Sequence, residues 1–382
     1  MATWPHVELR EVLRTDLTPV PISPAETYEM AGVYSFGRGL FRKEPVFGSN
    51  TSYRFFYRLA SDHFVMSQLF GWEGALALSS PEFAGLYVSP QFPTFRCDER
   101  RLSRFFLGLF ARTPSFWEDL ATRTRGMGDR RRTLNPQALL SCKIPFPPLD
   151  EQRRIVTRIE QLSATVMEGQ KLRTESLEAS SSVITSLHLS LSGERLRSLH
   201  DILKLDERRV PVCPNGTYPQ VGIKGFGGGL FARGTLDAIQ TTYKDFNLLF
   251  DGALVLSQVK GWEGAIAVCN ERFAGLYASP EYRTFSFLPE EALPKYMSAI
   301  VSSPWFYGKL KDLTRGVGAR RERTRPETFL EMQIPMPTVA QQRSALQVFE
   351  KLDALKKMQS ETSAELDALM PSILAKAFRG EL

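Results

Sequence analysis

Shifted by 190 residues, the sequence of this 382-residue chain falls on itself. Ser67 to Phe95 against Ser257 to Phe285 gives 17 identities in 29 ungapped positions, including Gly-Trp-Glu-Gly-Ala at 71–75 and 261–265 and Phe-Ala-Gly-Leu-Tyr at 83–87 and 273–277. The same register joins Glu11-Val12-Leu13-Arg14 to Asp201-Ile202-Leu203-Lys204, and the stretch from Gly32 to Phe41 to that from Gly222 to Phe231. It runs on through Thr124-Arg125-Gly126, Arg130-Arg131, Ile144-Pro145 and Gln152-Arg153, matched by Thr314-Arg315-Gly316, Arg320-Arg321, Ile334-Pro335 and Gln342-Arg343. Only the end of each unit slips, near Gly193-Glu194 and Gly380-Glu381. A unit of this size is far too long for a solenoid or propeller repeat, so the chain is a tandem duplication, a pseudo-dimer in one polypeptide.

Each unit changes character along its length. Its first part, about 1–145 and 195–335, mixes short β-type runs, turn residues and a few helical stretches, and reads as a compact α/β domain. Strands are expected at 64–68 and 75–78 and at their copies 253–258 and 265–268, each pair joined into a hairpin by the Gly-Trp-Glu-Gly turn. Helices are expected at 98–112, 114–122, 289–302 and 304–313, with prolines near their starts, where a missing amide proton is harmless. The last part, about 149–192 and 339–379, nearly lacks glycine and proline, and its apolar residues recur every three or four positions. Ile155, Ile159, Leu162, Val166, Val183, Leu187 and Leu191 form one stripe around a polar middle at Gly169, Arg173 and Ser176. Leu352, Leu355, Leu366, Leu369 and Ile373 form the other, interrupted at Gln359 and Thr362. Two long helices in a coiled-coil seam fit this spacing, with a globular core helix as the alternative. Ile-Pro-x-Pro at 144–147 and 334–337 is a stiff, non-helical lead-in to each. The fold class is therefore α+β, with boundaries at 1–148, 149–194, 195–338 and 339–382.

Several chemistries find no residues to carry them. Cys97, Cys142, Cys213 and Cys269 stand singly, without zinc or dithiol spacing, and are expected to be reduced and mostly buried. No acid is followed two positions later by Lys, as in many nuclease metal sites, and Gly308-Lys309 precedes Leu310, so no phosphate-binding P-loop is formed. His6, His63, His188 and His200 lie outside the repeated motifs. Glu73 and Glu263 sit on the hairpin turns with no partner acid, base or ligand, which favours a packing role beside the tryptophan over general base catalysis. No stretch has the length of an apolar membrane span, and no signal-type run opens the chain, so a cytoplasmic protein without metal or cofactor is expected.

What the chain does carry is duplicated positive charge. Arg96 to Thr133 holds ten arginines and five acids, and Lys309 to Arg325 holds seven bases and two acids, a net of +5 in each. At their centres Arg125, Arg130, Arg131 and Arg132, and Arg315, Arg320, Arg321 and Arg323, stand on glycine-rich turns suited to gripping phosphates. Gln68 and Gln258, which can pair bidentately with adenine, and Arg38, Arg42, Lys43, Arg54, Lys224, Arg233, Lys244 and Lys260 are candidates for further DNA contact. The glycine runs Gly37-Arg38-Gly39 and 225–229 could meet a phosphate with bare amides, or be no more than tight turns.

Taken together the pattern resembles the specificity (HsdS) subunit of type I restriction-modification systems, over the whole chain. The most specific parts are Ile144-Pro145-Phe146-Pro147-Pro148-Leu149-Asp150-Glu151-Gln152-Arg153-Arg154-Ile155, its weaker copy from Ile334 to Arg343, and Ala377-Phe378-Arg379-Gly380-Glu381-Leu382. The resemblance implies two target-recognition domains alternating with two helical regions that pair antiparallel as a spacer. It implies a non-catalytic subunit that reads a bipartite target in double-stranded DNA and recruits two methyltransferase subunits and restriction-translocase subunits. Gln152, Arg153, Gln342 and Arg343 are then the expected partner contacts. Such domains are often dissimilar, whereas here they are close copies, which suggests a near-palindromic target. A decoy homologue that binds methyltransferase subunits without reading a defined sequence is the alternative.

Overall fold

A computed structural model describes residues 4–124, 132–313 and 323–382. It divides into two compact units, residues 1–170 with 363–382, and residues 171–362. Each is built on the same four-stranded antiparallel sheet. In the first unit the order is Leu76–Leu78, Phe64–Met66, Thr94–Cys97, Leu13–Thr15, and in the second Ile266–Val268, Leu254–Ser257, Tyr282–Phe287, Leu203–Leu205. The two expected hairpins form one edge of each sheet, in register Val65 with Ala77 and Val255 with Ala267. Between their strands lies a single 3-10 turn, Gly71–Glu73 or Gly261–Glu263, ended by a left-handed glycine. Glycine is obligatory there: Gly74 has φ 77°, and a Cβ on it would come within 2.4 Å of the Trp117 ring.

A second sheet lies beside the first. Unit 1 joins Tyr87–Val88, Phe55–Arg58 and Pro19–Pro21, and unit 2 extends the same arrangement to five strands with Thr217–Ile223 and Leu230–Asp237. Helices Pro114–Thr122 and Pro304–Leu313 match their expected bounds, each opened by its proline. The preceding helices are shorter than expected, Arg104–Phe110 and Pro294–Val301. Residues 98–102 instead form a turn, with the Arg101 and Leu102 amides both donating to Asp98 O.

Leu149–Ser192 is one helix of 44 residues, about 66 Å at 1.5 Å per residue, a length that fits a coiled-coil spacer. The second helical region is not one helix. It is Val339–Glu361 and Ser363–Phe378, broken at Thr362, which lies within the polar interruption of the apolar stripe. In unit 1, Ile155, Val156 and Ile159 share a core with Leu374 and Ala377, and Phe378 meets Phe106 and Phe110 edge to face, both at 5.1 Å. In unit 2, Ile184 shares a core with Ala345 and Phe349, and Leu187, Leu191 and Leu352 pack against it. There the helices run antiparallel, since Ser176 bonds Gln359 while Leu191 O accepts from Gln341. The expected stripe is partly one residue off: Val183, Leu355 and Leu369 are exposed, while Ile184 and Leu374 are buried. Ile184, Leu187 and Leu191 keep the three-and-four spacing that Val183 breaks.

Cys97, Cys142 and Cys269 are buried and Cys213 is exposed. A buried titratable group lies on the inner face of the long helix itself. His188 Nδ1 lies 2.7 Å from the Tyr296 hydroxyl, with the Trp305 ring against it, and burial pulls its pKa from 6.5 down to about 4. The unfolded chain therefore binds a proton that the folded chain refuses between those values. The stability that His188 contributes is fully present above about pH 6.5 and is lost as the pH drops toward 4, by up to about 3 kcal/mol. In the first copy Phe106 replaces Tyr296 and packs on Phe378. Urea denaturation of the double variant His188→Phe, Tyr296→Phe should lose most of this pH dependence, and an unchanged slope would assign it to other groups.

Candidate nucleic-acid interface

The densest part of the expected phosphate grip, Arg125, Arg130, Arg131, Arg315, Arg320 and Arg321, lies outside the described residues. The residues bounding those turns are defined, and they make the same frame in both copies. Leu134 N–H donates to Gln68 O at 2.7 Å and Thr324 N–H to Gln258 O at 2.9 Å. Gln68 N–H donates to Gln91 O and Gln258 N–H to Glu281 O, while Ser67 Oγ and Ser257 Oγ accept from the amides of Phe70 and Lys260 at 3.2 Å. Leu134 and Thr324, which follow the two charged segments in sequence, are thus fixed to the hairpins in the same way.

In unit 2 this frame walls a concavity of about 400 Å³. It brings Arg233 of strand Leu230–Asp237 together with Lys260, Gln220 and Tyr243. Glu281 forms part of the wall and pairs with Arg323 at 3.1 Å, and Lys260 pairs with Glu263 at 3.4 Å. The cleft thus offers donors, a carboxylate acceptor and an aromatic face within one opening, the mixture needed for base edges. The corresponding first-copy positions are Lys43, Phe70, Met30, Tyr53, Gln91 and Thr133. The frame is copied, while of its lining only the tyrosine is identical and Lys43 for Arg233 keeps the charge.

Other candidates are placed separately. Arg38 is exposed, donates to Ser35 O at 3.1 Å and lies over the Tyr34 ring, in a concavity with Gly37, Gly39, Phe105 and Arg112. Arg42 donates to Glu82 O, Lys224 lies over Phe231, and Arg132 lies over Trp72. Lys43, Arg54 and Lys244 are exposed. The two glutamines are less accessible than a base reader requires: Gln258 is 7% exposed, and Gln68 Nε2 donates to Pro90 O. Glu73 accepts from Ser35 Oγ, in keeping with a packing role. Among the described residues no group of three or more His, Cys, Asp or Glu could hold a metal ion, and no helix is long and apolar enough to cross a membrane.

The expected partner contacts need correction. Gln152 and Gln342 are fully buried, so neither can touch another subunit. Gln152 Oε1 accepts from Ser103 N–H at 2.8 Å, and its Nε2 donates to Arg101 O and Pro147 O. Gln342 repeats all three bonds with Leu293, Glu291 and Pro337. Each glutamine is a latch between its helix start and its globular domain. Gln152→Ala strands an amide and two carbonyls, and should lower stability by about 2–4 kcal/mol in chemical denaturation. A loss below about 0.5 kcal/mol would mean that water replaces the latch. Arg153 and Arg343 point outward, Arg153 beside Asp150 at 3.4 Å.

Sequence reasoning passed over Phe36 and Phe226. They are equivalent in the repeat, both have positive φ, 61° and 54°, and both rings are exposed. For a non-glycine residue that backbone costs roughly 1–2 kcal/mol.

No protein-family model matches the chain. Among curated proteins, it is 23% identical over 292 residues to the Escherichia coli type I restriction enzyme EcoKI specificity subunit, a match covering 67% of this chain and 61% of that protein. Among solved structures it is similar to the HsdS subunit from Thermoanaerobacter tengcongensis, at 20% identity and TM-score 0.52, covering 100% of this chain and 97% of that one. It is also similar to a chain solved in work on complex assembly and conformational transition of the type I R-M system, at 20% identity and TM-score 0.69, covering 100% and 98%. The resemblance of the sequence to type I specificity subunits is thus matched in sequence and in fold.

Proposed function

We propose that the chain is the non-catalytic DNA-binding subunit of a type I restriction-modification complex, acting in the cytoplasm. Residues 1–148 and 195–338 each read one half of a bipartite target, and the helical regions 149–194 and 339–382 set the gap between the halves. Methyltransferase subunits dock on it and restriction subunits complete the assembly. The observation that supports this reading is the duplication of one main-chain frame, with a basic segment of sequence immediately before its last bond in each copy. Fixed phosphate grips position a protein on a duplex, and the side chains between them can then read bases. Because the frames are copies, the two half-sites should be related and inverted, with differences confined to the bases that the unlike clefts meet.

Selection of duplexes with randomised cores by the full chain tests this directly. Enrichment of two related half-sites at a constant separation is expected. Binding that stays indifferent to sequence at every salt concentration would overturn the reading and favour a decoy role. Replacing Arg130, Arg131, Arg320 and Arg321 by Ala should weaken binding to all duplexes and lower the salt slope by roughly one for each phosphate that is no longer neutralised.

A further inference from the structure

Phe36 and Phe226 are held where folding gains little from them. Each ring is turned to solvent, 59% and 72% exposed, on a left-handed backbone that glycine or asparagine would occupy with less strain. The turns themselves are firmly fixed. Phe36 N–H donates to Glu73 O at 2.8 Å and Gly37 N–H to Gly74 O at 3.0 Å, and the second copy repeats both bonds to Glu263 and Gly264. Each ring touches an aromatic only with an edge, Trp117 at 6.1 Å and Tyr307 at 6.2 Å. The next residue is pressed against the domain: a Cβ on Gly37 would stand 3.0 Å from Arg112 Cα, and one on Gly227 would stand 2.2 Å from Ser302 O.

Arg38 follows Phe36 by two residues and Lys224 precedes Phe226 by two, and each cation lies over an aromatic face. The Arg38 guanidinium lies 4.8 Å from the Tyr34 ring, which stacks on Phe41 at 4.1 Å, and the Lys224 ammonium lies 5.7 Å from the Phe231 ring. An exposed aromatic on a rigid turn beside cations matches a polyanion with stacking faces better than an apolar protein groove. We propose that Phe36 and Phe226 are aromatic wedges, each pressing its ring into a base step of the DNA half-site bound by its own copy, with Arg38 and Lys224 on the adjoining phosphates. The inference rests on the DNA-binding reading above.

The test uses the full chain and the duplex enriched from the randomised pool, with 2-aminopurine placed at each position in turn. Wild type should raise the fluorescence at one step in each half-site, as a base there loses its stacking. The double variant Phe36→Gly, Phe226→Gly should abolish that rise and weaken binding about ten- to a hundredfold, with a melting temperature no lower than wild type. Phe36→Trp, Phe226→Trp should keep both signals. Wild-type fluorescence and affinity in the glycine variant would overturn the wedges alone, as would a glycine variant that keeps DNA affinity but no longer holds a methyltransferase subunit. Failure of the pool to yield any preferred duplex would instead overturn the DNA reading, and the wedges with it.

Discussion

Without Ser363–Leu382, residues 1–170 should lose cooperative folding while residues 171–362 keep theirs. The last helix contributes Leu374, 4% exposed, and Ala377, fully buried, to the core of the first unit, and Met370, Ile373, Phe378 and Leu382 pack against it. Truncating one buried leucine to alanine costs about 2–5 kcal/mol, and a domain has only about 5–15 kcal/mol of stability. Removing six apolar side chains at once exceeds that margin. The second unit takes no residue from this segment into its core. Hydrogen exchange followed peptide by peptide should therefore show the sheet of Phe64–Met66 and Thr94–Cys97 unprotected and that of Leu254–Ser257 and Tyr282–Phe287 protected. Adding the missing segment as a separate peptide should restore protection. Equal protection of both sheets without it would show that the first core closes on its own.

Much of this architecture was legible because duplication doubles every signal. The hairpins, the proline-started helices and the paired charge all recur at one offset, and a feature present twice is hard to attribute to chance. Failures came where tertiary contacts override local pattern. The helix expected from Asp98 starts only at Arg104, because the Ser103 amide is taken by Gln152, 49 residues away in sequence. Gln152, a partner contact on the family resemblance, is buried instead. It lies three residues before Ile155, on the face that the apolar spacing buries, and Gln342 stands in the same relation to Ala345. The recurrence of a phenylalanine before glycine at 36 and 226 was equally visible, but sequence alone does not say that its backbone is left-handed or its ring exposed.

The positions that line the second copy's cleft, by contrast, are where the copies part, and placing that lining on the first copy should move specificity from one half-site to the other. Lys260 stands where the first copy has Phe70, Glu281 where it has Gln91, and Arg323 where it has Thr133. The main-chain frame under these positions is shared, since the amides of Phe70 and Lys260 donate to equivalent serines and Gln91 O and Glu281 O accept equivalent bonds. Side chains can therefore be transplanted without moving their backbones. Lysine and arginine donate to guanine O6 and N7, a carboxylate accepts from cytosine N4, and a phenylalanine ring meets the thymine methyl. The triple variant Phe70→Lys, Gln91→Glu, Thr133→Arg should give the first half-site the base preference of the second. At about 1–3 kcal/mol for each good contact, the ratio between the two preferences should change by about a hundredfold or more. Phe70 is half exposed and Thr133 is exposed, so the melting temperature should barely change. Repeating the duplex selection with the variant reads the outcome. A motif with two halves made alike would place base recognition at these positions. An unchanged motif would place recognition instead on the charged turns, which the two copies share more closely than they share the cleft.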